Sequence, residues 1–209
     1  MINLFDNISS KSKENLLRIF RSYSVNYSKG KKINDIFRDD DEVGIITSGY
    51  IQIIKNNYNG TTTIIEELYE NDLIGSLFFY LKNDGYDIIA KEDTKITIMD
   101  YKEIIKQSNN DKSYTQFIKN LLIIMSQKIM ERNEHIEILS ERSIRNKLLE
   151  YFNINSKKSG SRYIYLPFNF SDLANYLAID RSAMSRELGY LKEEGFISIK
   201  GKRITLLYR

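Results

Sequence analysis

Residues 169–189 read Asn-Phe-Ser-Asp-Leu-Ala-Asn-Tyr-Leu-Ala-Ile-Asp-Arg-Ser-Ala-Met-Ser-Arg-Glu-Leu-Gly, a pattern of two short helices joined by a tight turn. Asn169 can cap the first helix and Asp172 falls at its third helical position, a polar pair suited to backbone donors that lack partners. Leu173, Ala174 and Leu177 then face inward, with Ala174 small where the two helices would cross. Ile179 plugs the turn, and Met184 and Leu188 give the second helix an apolar seam at four-residue spacing. The other face carries Arg181, Ser182, Ala183, Ser185 and Arg186. Short side chains that allow close approach, beside arginines able to fork onto guanine or phosphate, are what a helix in a DNA major groove requires. An amphipathic pair with a merely solvated basic face would look the same in isolation.

The sequence that follows separates the two readings. Phe196–Ile199 and Ile204–Leu207 are short β-type runs joined by Lys200-Gly201-Lys202-Arg203, so the pair precedes a hairpin with a basic tip. A helix pair plus such a hairpin is a winged helix-turn-helix. Charge follows the same division: residues 141–209 hold 13 Lys and Arg against 7 Asp and Glu, net +6, and residues 1–140 hold 18 against 21, net −3. The whole-chain value of +3 conceals this split, which phosphate binding by one module would produce.

With these residues in view, the C-terminal region resembles the DNA-binding domain of the Crp/Fnr superfamily of bacterial transcription regulators. That family carries Leu-Ala early in the first helix and a near-invariant arginine in the second, here Leu173-Ala174 and Arg186. Ser185-Arg186 is similar to the Ser-Arg pair of the Fnr-like branch. Ala178 stands where the family usually has its turn glycine; a β-carbon in a left-handed turn costs roughly 1 kcal/mol, so a turn that is slightly strained or differently shaped is expected. Ser182 stands where many members have a base-reading glutamate, so a different DNA preference is expected.

The first hundred residues have another texture. Runs of strand length at 43–47, 50–54, 61–68, 87–90 and 94–99 alternate with the turn pairs Ser48-Gly49, Asn59-Gly60, Asn71-Asp72 and Asp84-Gly85. Many short strands at regular spacing predict a β-sandwich or barrel. In order along the chain, Ser48-Gly49-Tyr50-Ile51-Gln52-Ile53, Asn59-Gly60-Thr61 and Asn71-Asp72-Leu73-Ile74-Gly75 also resemble the family's sensor β-roll. The expected fold is thus α+β. Residues 1–110 form a double-stranded β-helix, a cyclic-nucleotide-binding-like β-roll of cupin-like jelly-roll type; 111–139 form a long dimerisation helix; and 140–209 form the winged helix-turn-helix.

The helical pattern at 113–139 carries Ile118, Leu122, Met125, Ile129, Arg132, Ile136 and Leu139 at alternating spacings of four and three. Some of Phe117, Leu121 and Ile124 would pack on the β-roll of the same chain. Because residues 121–125 are apolar on every side, the helix has two faces to cover. In the resembling family this helix pairs with its twofold mate, which makes Ile118, Leu122, Met125, Ile129, Arg132 and Ile136 the candidate homodimer interface. A dimer would present its two reading helices about 34 Å apart to a near-palindromic site of double-stranded DNA.

Composition excludes several chemistries. The chain has 209 residues, 42% hydrophobic, with no cysteine, one proline (Pro167) and one histidine (His135). It can bury a real core in one to two domains. There are no thiolate metal sites, disulfides or Fe–S clusters to consider. No apolar run reaches membrane-spanning length, and the N-terminus lacks the basic start and small-residue cleavage site of a signal peptide, so a cytoplasmic location with no membrane partner is expected. One histidine cannot complete a Ser-His-Asp or cupin metal set, and its neighbours Glu131, Arg132, Asn133, Glu134 and Glu137 mark it as a solvated or interface residue. Neither catalysis, nor a metal, nor a cofactor is expected. A winged helix that binds a protein partner is the rival reading, and weak salt dependence of binding would mark it.

What the resemblance implies for the sensor is a pocket near Gly75, Ser76, Leu77 and Tyr86. It would hold an unidentified small-molecule effector, or none if abundance is the signal. RNA polymerase is the further partner the family implies. Cyclic-nucleotide-binding members place a Gly-Glu pair on the ribose and an Arg-Ser pair on the phosphate. Here Gly75 is followed by Ser76, and no arginine occurs between Arg38 and Arg132, so the planar charged fork that a phosphate prefers is missing. Lysines such as Lys82 or Lys91 would act only as point charges. Calorimetric titration with cyclic AMP is expected to show no binding; a micromolar dissociation constant would overturn this.

Overall fold

The computed structural model describes residues 3–36, 41–58, 60–75, 85–106, 111–167 and 169–208, which divide between two compact units, Met1–Lys128 and Ile129–Arg209. The first contains α1 (Ser10–Ile19), β1 (Tyr23–Tyr27), β2 (Glu42–Ser48), β3 (Ile51–Asn56), β4 (Thr62–Leu68), β5 (Leu73–Gly75), β6 (Tyr86–Ala90), β7 (Thr94–Asp100) and α2 (Tyr101–Lys106). All strand pairs are antiparallel, in sheets of order β1-β7-β2-β5 and β4-β3-β6.

Both sheets close on one aliphatic interior, where Ile46, Ile74, Ile96 and Ile98 of the first meet Ile51, Ile53, Leu68 and Ile88 of the second. β2 is buried on its other side as well. Val43 and Ile45 pack there with Leu73 and Met99 against Leu4, Leu16, Phe20, Ile104 and Phe117. A strand covered on both faces reads as a continuous apolar run rather than an alternating one, as residues 43–46 do. The five expected strands are all present, and β1 and β5 are additions. β1 shows only half-buried and exposed positions, and β5 is three residues long inside a stretch that reads as turn. Gly49 turns β2 into β3 at φ +90, where a Cβ would lie 2.5 Å from the Asp93 carbonyl oxygen, so only glycine fits.

The long helix α3 (Lys112–Ser140) lies within one residue of its expected span at each end. In the first unit Phe117 and Ile124 join the core beneath β2, as expected, and the Phe117 ring sits 4.9 Å from that of Phe20. Buried Asn120 donates to the carbonyls of Leu4 at 3.1 Å and Asp6 at 2.8 Å, clipping the N-terminal segment to α3. Lys128 places its ammonium 3.2 Å from the carboxylate of buried Glu66 on β4 and 3.6 Å from that of Asp72. Glu66 lies opposite interior Ile53 in the strand register, so this charge is held on the aliphatic side of its strand.

In the second unit α4 (Ile144–Ser159), β8 (Tyr163–Tyr165), α5 (Phe170–Tyr176), α6 (Arg181–Glu193), β9 (Ile197–Lys200) and β10 (Arg203–Leu206) surround one core. It includes Ile138, Leu148, Phe152, Leu173, Leu177, Met184, Leu188, Leu191, Ile197 and Ile204. The hairpin pairs Arg203 with Lys200, leaving Gly201 and Lys202 as its tip, and β8 adds a third, unexpected strand against β10. Ser143 and Asn169 cap α4 and α5, and Asp180 caps α6. Ala178, exposed between α5 and α6, has φ +52, so of the two expected outcomes the turn keeps its left-handed shape and carries the strain. Among the described residues no helix is long and apolar enough to cross a membrane.

Two substitutions test this packing. Lys128→Met leaves Glu66 and Asp72 without their shared cation and is expected to destabilise the first unit by about 2–3 kcal/mol in urea unfolding, a loss that adding Glu66→Gln partly restores. Ala178→Gly relieves roughly 1–2 kcal/mol of left-handed strain against about 0.4–1 kcal/mol of added unfolded-state entropy, so the second unit should gain about 0.5–1 kcal/mol.

Candidate nucleic-acid interface

The side chain of Asp180 accepts the Ala183 backbone N–H at 2.7 Å and starts α6. Met184, Leu188 and Leu191 are buried, which turns the opposite face outward. Arg181, Ser182, Ser185 and Arg186 are exposed and together line one shallow, open concavity. Ala183 lies to its side, half-buried. Four of the five residues expected on the reading face therefore share one surface, two of them permanently charged forks.

Around this surface the expected backbone-contacting residues differ in how free they are. Lys200 and Lys202 are exposed on the hairpin. Arg203 is half-buried, its guanidinium 5.7 Å from the centre of the Tyr163 ring on β8, so part of its cationic face is spent on an aromatic. Asn169 is engaged as a cap, accepting the Asp172 backbone N–H and donating to the Asp172 carboxylate, both at 3.0 Å. Ser171 is half-buried in the first turn of α5.

Three anchors on this helix pair are not legible in the sequence. Arg145 of α4 donates from Nε to Glu187 at 2.6 Å, and from Nη1 and Nη2 to the two oxygens of Glu194 at 2.8 and 2.7 Å. The Glu194 carboxyl is held below its usual range, first by these hydrogen bonds. Lys147 donates to the Leu177 carbonyl at 3.3 Å. His135 sits 2.8 Å by Nε2 from the Tyr176 carbonyl oxygen, and its ring stacks on that of Tyr176 at 4.0 Å. A carbonyl only accepts, so Nε2 carries the proton. His135 is half-buried here against α5 rather than simply solvated. It and Lys147 both serve the carbonyl end of α5, where donors and positive charge are favoured. The partners lie 30 to 49 residues apart in the chain, beyond any local pattern.

On α3, Leu122, Ile129 and Ile136 recur every seventh residue and are 58%, 56% and 60% exposed. Ile118 instead packs against the core of the first unit. Met125 is half-buried beside Leu121 and Phe117 along a small apolar cavity, and Arg132 is half-buried.

In the sensor region, Gly75 ends β5 opposite Val43, and a Cβ there would stand 2.8 Å from the Glu42 carbonyl oxygen. Close strand approach thus accounts for this glycine. Tyr86 begins β6, half-buried against the interior, and Ser76 and Leu77 lie outside the described residues. Elsewhere on the unit Tyr50 and Tyr69 stack at 4.6 Å, and Glu67 accepts from Tyr50, Tyr69 and buried Gln52. Burial and then this carboxylate push both tyrosine hydroxyls far above their ordinary range. Among the described residues no group of three or more His, Asp or Glu could hold a metal.

Comparison with known proteins agrees with this geometry. The sequence profile of the Crp-like helix-turn-helix domain matches residues 144–209. The Fumarate and nitrate reduction regulatory protein of Vibrio cholerae is 26% identical over 85% of this chain and 73% of its own. The Anaerobic regulatory protein of Bacillus subtilis is 23% identical over 87% and 79%. A solved structure of a CooA mutant from Carboxydothermus hydrogenoformans superposes with a TM-score of 0.75 at 17% identity, covering 99% of this chain and 92% of that one, and shares the fold. A basic face on a capped helix and a winged hairpin beside it make residues 144–209 a Crp-like helix-turn-helix domain, and the similarity of most of the chain to these regulators supports DNA-binding transcription regulation of the Crp/Fnr type.

Proposed function

We propose that the protein acts as a homodimer joined along α3 and reads a near-palindromic DNA site whose half-sites lie one helical turn apart. The observation that carries this reading is the single exposed face formed by Arg181, Ser182, Ser185 and Arg186 on a helix whose other side is fully packed. Arg181, Ser182 and Arg186 reach base edges, and Ala183 and Ser185 allow close approach. Asn169, Ser171, Lys200, Lys202 and Arg203 meet phosphates and set the docking. Lys200 and Lys202 are the freest of these; the engagement of Asn169 and Arg203 with Asp172 and Tyr163 leaves them secondary contacts.

The dimer reading is supported by Leu122, Ile129 and Ile136. Three large apolar side chains exposed at heptad spacing on one helix fit the seam of a paired coil. Among the described residues the interior of the β unit is aliphatic, formed by Ile46, Ile51, Ile53, Ile88, Ile96 and Ile98, and no arginine occurs between Arg38 and Arg132 to neutralise a cyclic phosphate, so cyclic AMP is not the effector. RNA polymerase is the partner through which such a regulator acts, and the cytoplasm is where it works.

Selection of bound duplexes from a randomised library at near-physiological salt is expected to recover a palindrome with half-sites one turn apart. On that site, Arg186→Ala should cost about 1–3 kcal/mol and relax discrimination at one base pair, whereas Lys202→Ala should weaken all sequences about equally. Uniform losses in both variants would mean that α6 is not the reading helix. Binding that persists with little change as salt is raised would favour a protein partner instead.

A further inference from the structure

The reading face of α6 can select bases only if the helix is held at one tilt, and the fork at Arg145 is built for that purpose. Glu187 and Glu194 are seven residues apart, about 10 Å along the axis and two turns of helix. Arg145 spans them from the second residue of α4 with three short charge-assisted bonds: one to Glu187, and a bidentate pair to Glu194. Glu187 directly follows Arg186, and Glu194 is the C-cap of α6. The bonds therefore tie the far end of the helix and the turn carrying a reading arginine to one rigid, planar group.

Stability alone does not account for this arrangement. The Arg145, Glu187 and Glu194 side chains are 36%, 21% and 43% exposed, so solvent screens the network and leaves it a modest share of the stability, even with its bidentate geometry. Met184, Leu188 and Leu191 already fasten α6 to its core. What three bonds in fixed fork geometry add is orientation, which a point charge does not supply. A second consequence is electrostatic, since Arg145 compensates acids on a helix that must approach phosphates.

We propose that Arg145 is a positioning residue for base reading, holding α6 at the tilt that lets Arg181 and Arg186 reach base edges. This rests on α6 being the reading helix. The test compares full-length wild type, Arg145→Lys, Glu194→Gln and, as control, Arg186→Ala. Each is titrated by fluorescence anisotropy with the library-selected duplex and with a scrambled duplex of equal length, and folding is checked by circular dichroism melting. Arg145→Lys keeps the charge and loses the fork. The expected result is a fall of about tenfold in its ratio of selected to scrambled affinity, the cost of one misplaced bidentate contact, with the salt dependence on scrambled DNA unchanged. Glu194→Gln, which leaves the Glu187 bond in place, should show a smaller fall, and it carries the test alone if Arg145→Lys does not fold. A ratio unchanged in the Arg145 and Glu194 variants while Arg186→Ala is impaired overturns the role of Arg145. A ratio unchanged in Arg186→Ala as well removes the reading of α6, and this inference with it.

Discussion

Burial of Met184, Leu188 and Leu191 fixes the rotation of α6 about its own axis, and the functional surface of the C-terminal unit depends on that rotation. Each such side chain is worth roughly 1.5–3 kcal/mol when removed from water. An exposed ion pair contributes about 0–1 kcal/mol. The apolar seam therefore decides which face of α6 meets solvent, and the polar anchors act within that choice. Because helical side chains repeat every 3.6 residues, turning this seam inward necessarily presents Arg181, Ser182, Ser185 and Arg186 together. The Arg145 fork, the capping of α5 by Lys147 and the stacking of His135 on Tyr176 then refine the position of the helix pair.

The β unit solves a different problem. β2 must satisfy a core on each side, which it does by alternating Val43 and Ile45 toward the helices with Ile46 toward the sandwich interior. β-branched isoleucines dominate that interior, where they pack well against pleated neighbours. Charge enters this side only where it is compensated, as Glu66 is by Lys128 of α3. Tyr50, Gln52, Glu67 and Tyr69 likewise satisfy one another as a closed polar set. The chemistry of the described interior is aliphatic, with no fixed cationic fork, in keeping with the absence of arginine between Arg38 and Arg132.

Much of this was legible residue by residue where the cause is local. The cap at Asn169, the left-handed turn at Ala178, the span of α3 and the strands around Ser48-Gly49 follow from side-chain chemistry within a few positions. Elements whose cause is distant were not legible. β8 is only three residues long and is a strand because β10 offers it a ladder. β5 pairs with β2 inside what reads as a turn. Ile118 shares the stripe of Leu122 and Ile129 in sequence, yet it lies against the first unit's own core.

The sequence by itself determined the class of the fold, the winged helix-turn-helix, its basic character and which residues share the outward face of α6, because periodicity, caps and net charge are properties of neighbouring positions. Only the tertiary structure decided which of those residues are free. Arg203 is partly committed to Tyr163, Asn169 to Asp172 and His135 to Tyr176, while Arg145 grips α6 across more than forty residues of chain. The physical reason is that a hydrogen bond or an aromatic contact needs its two groups within a few ångströms, and folding, not sequence spacing, brings such distant groups together.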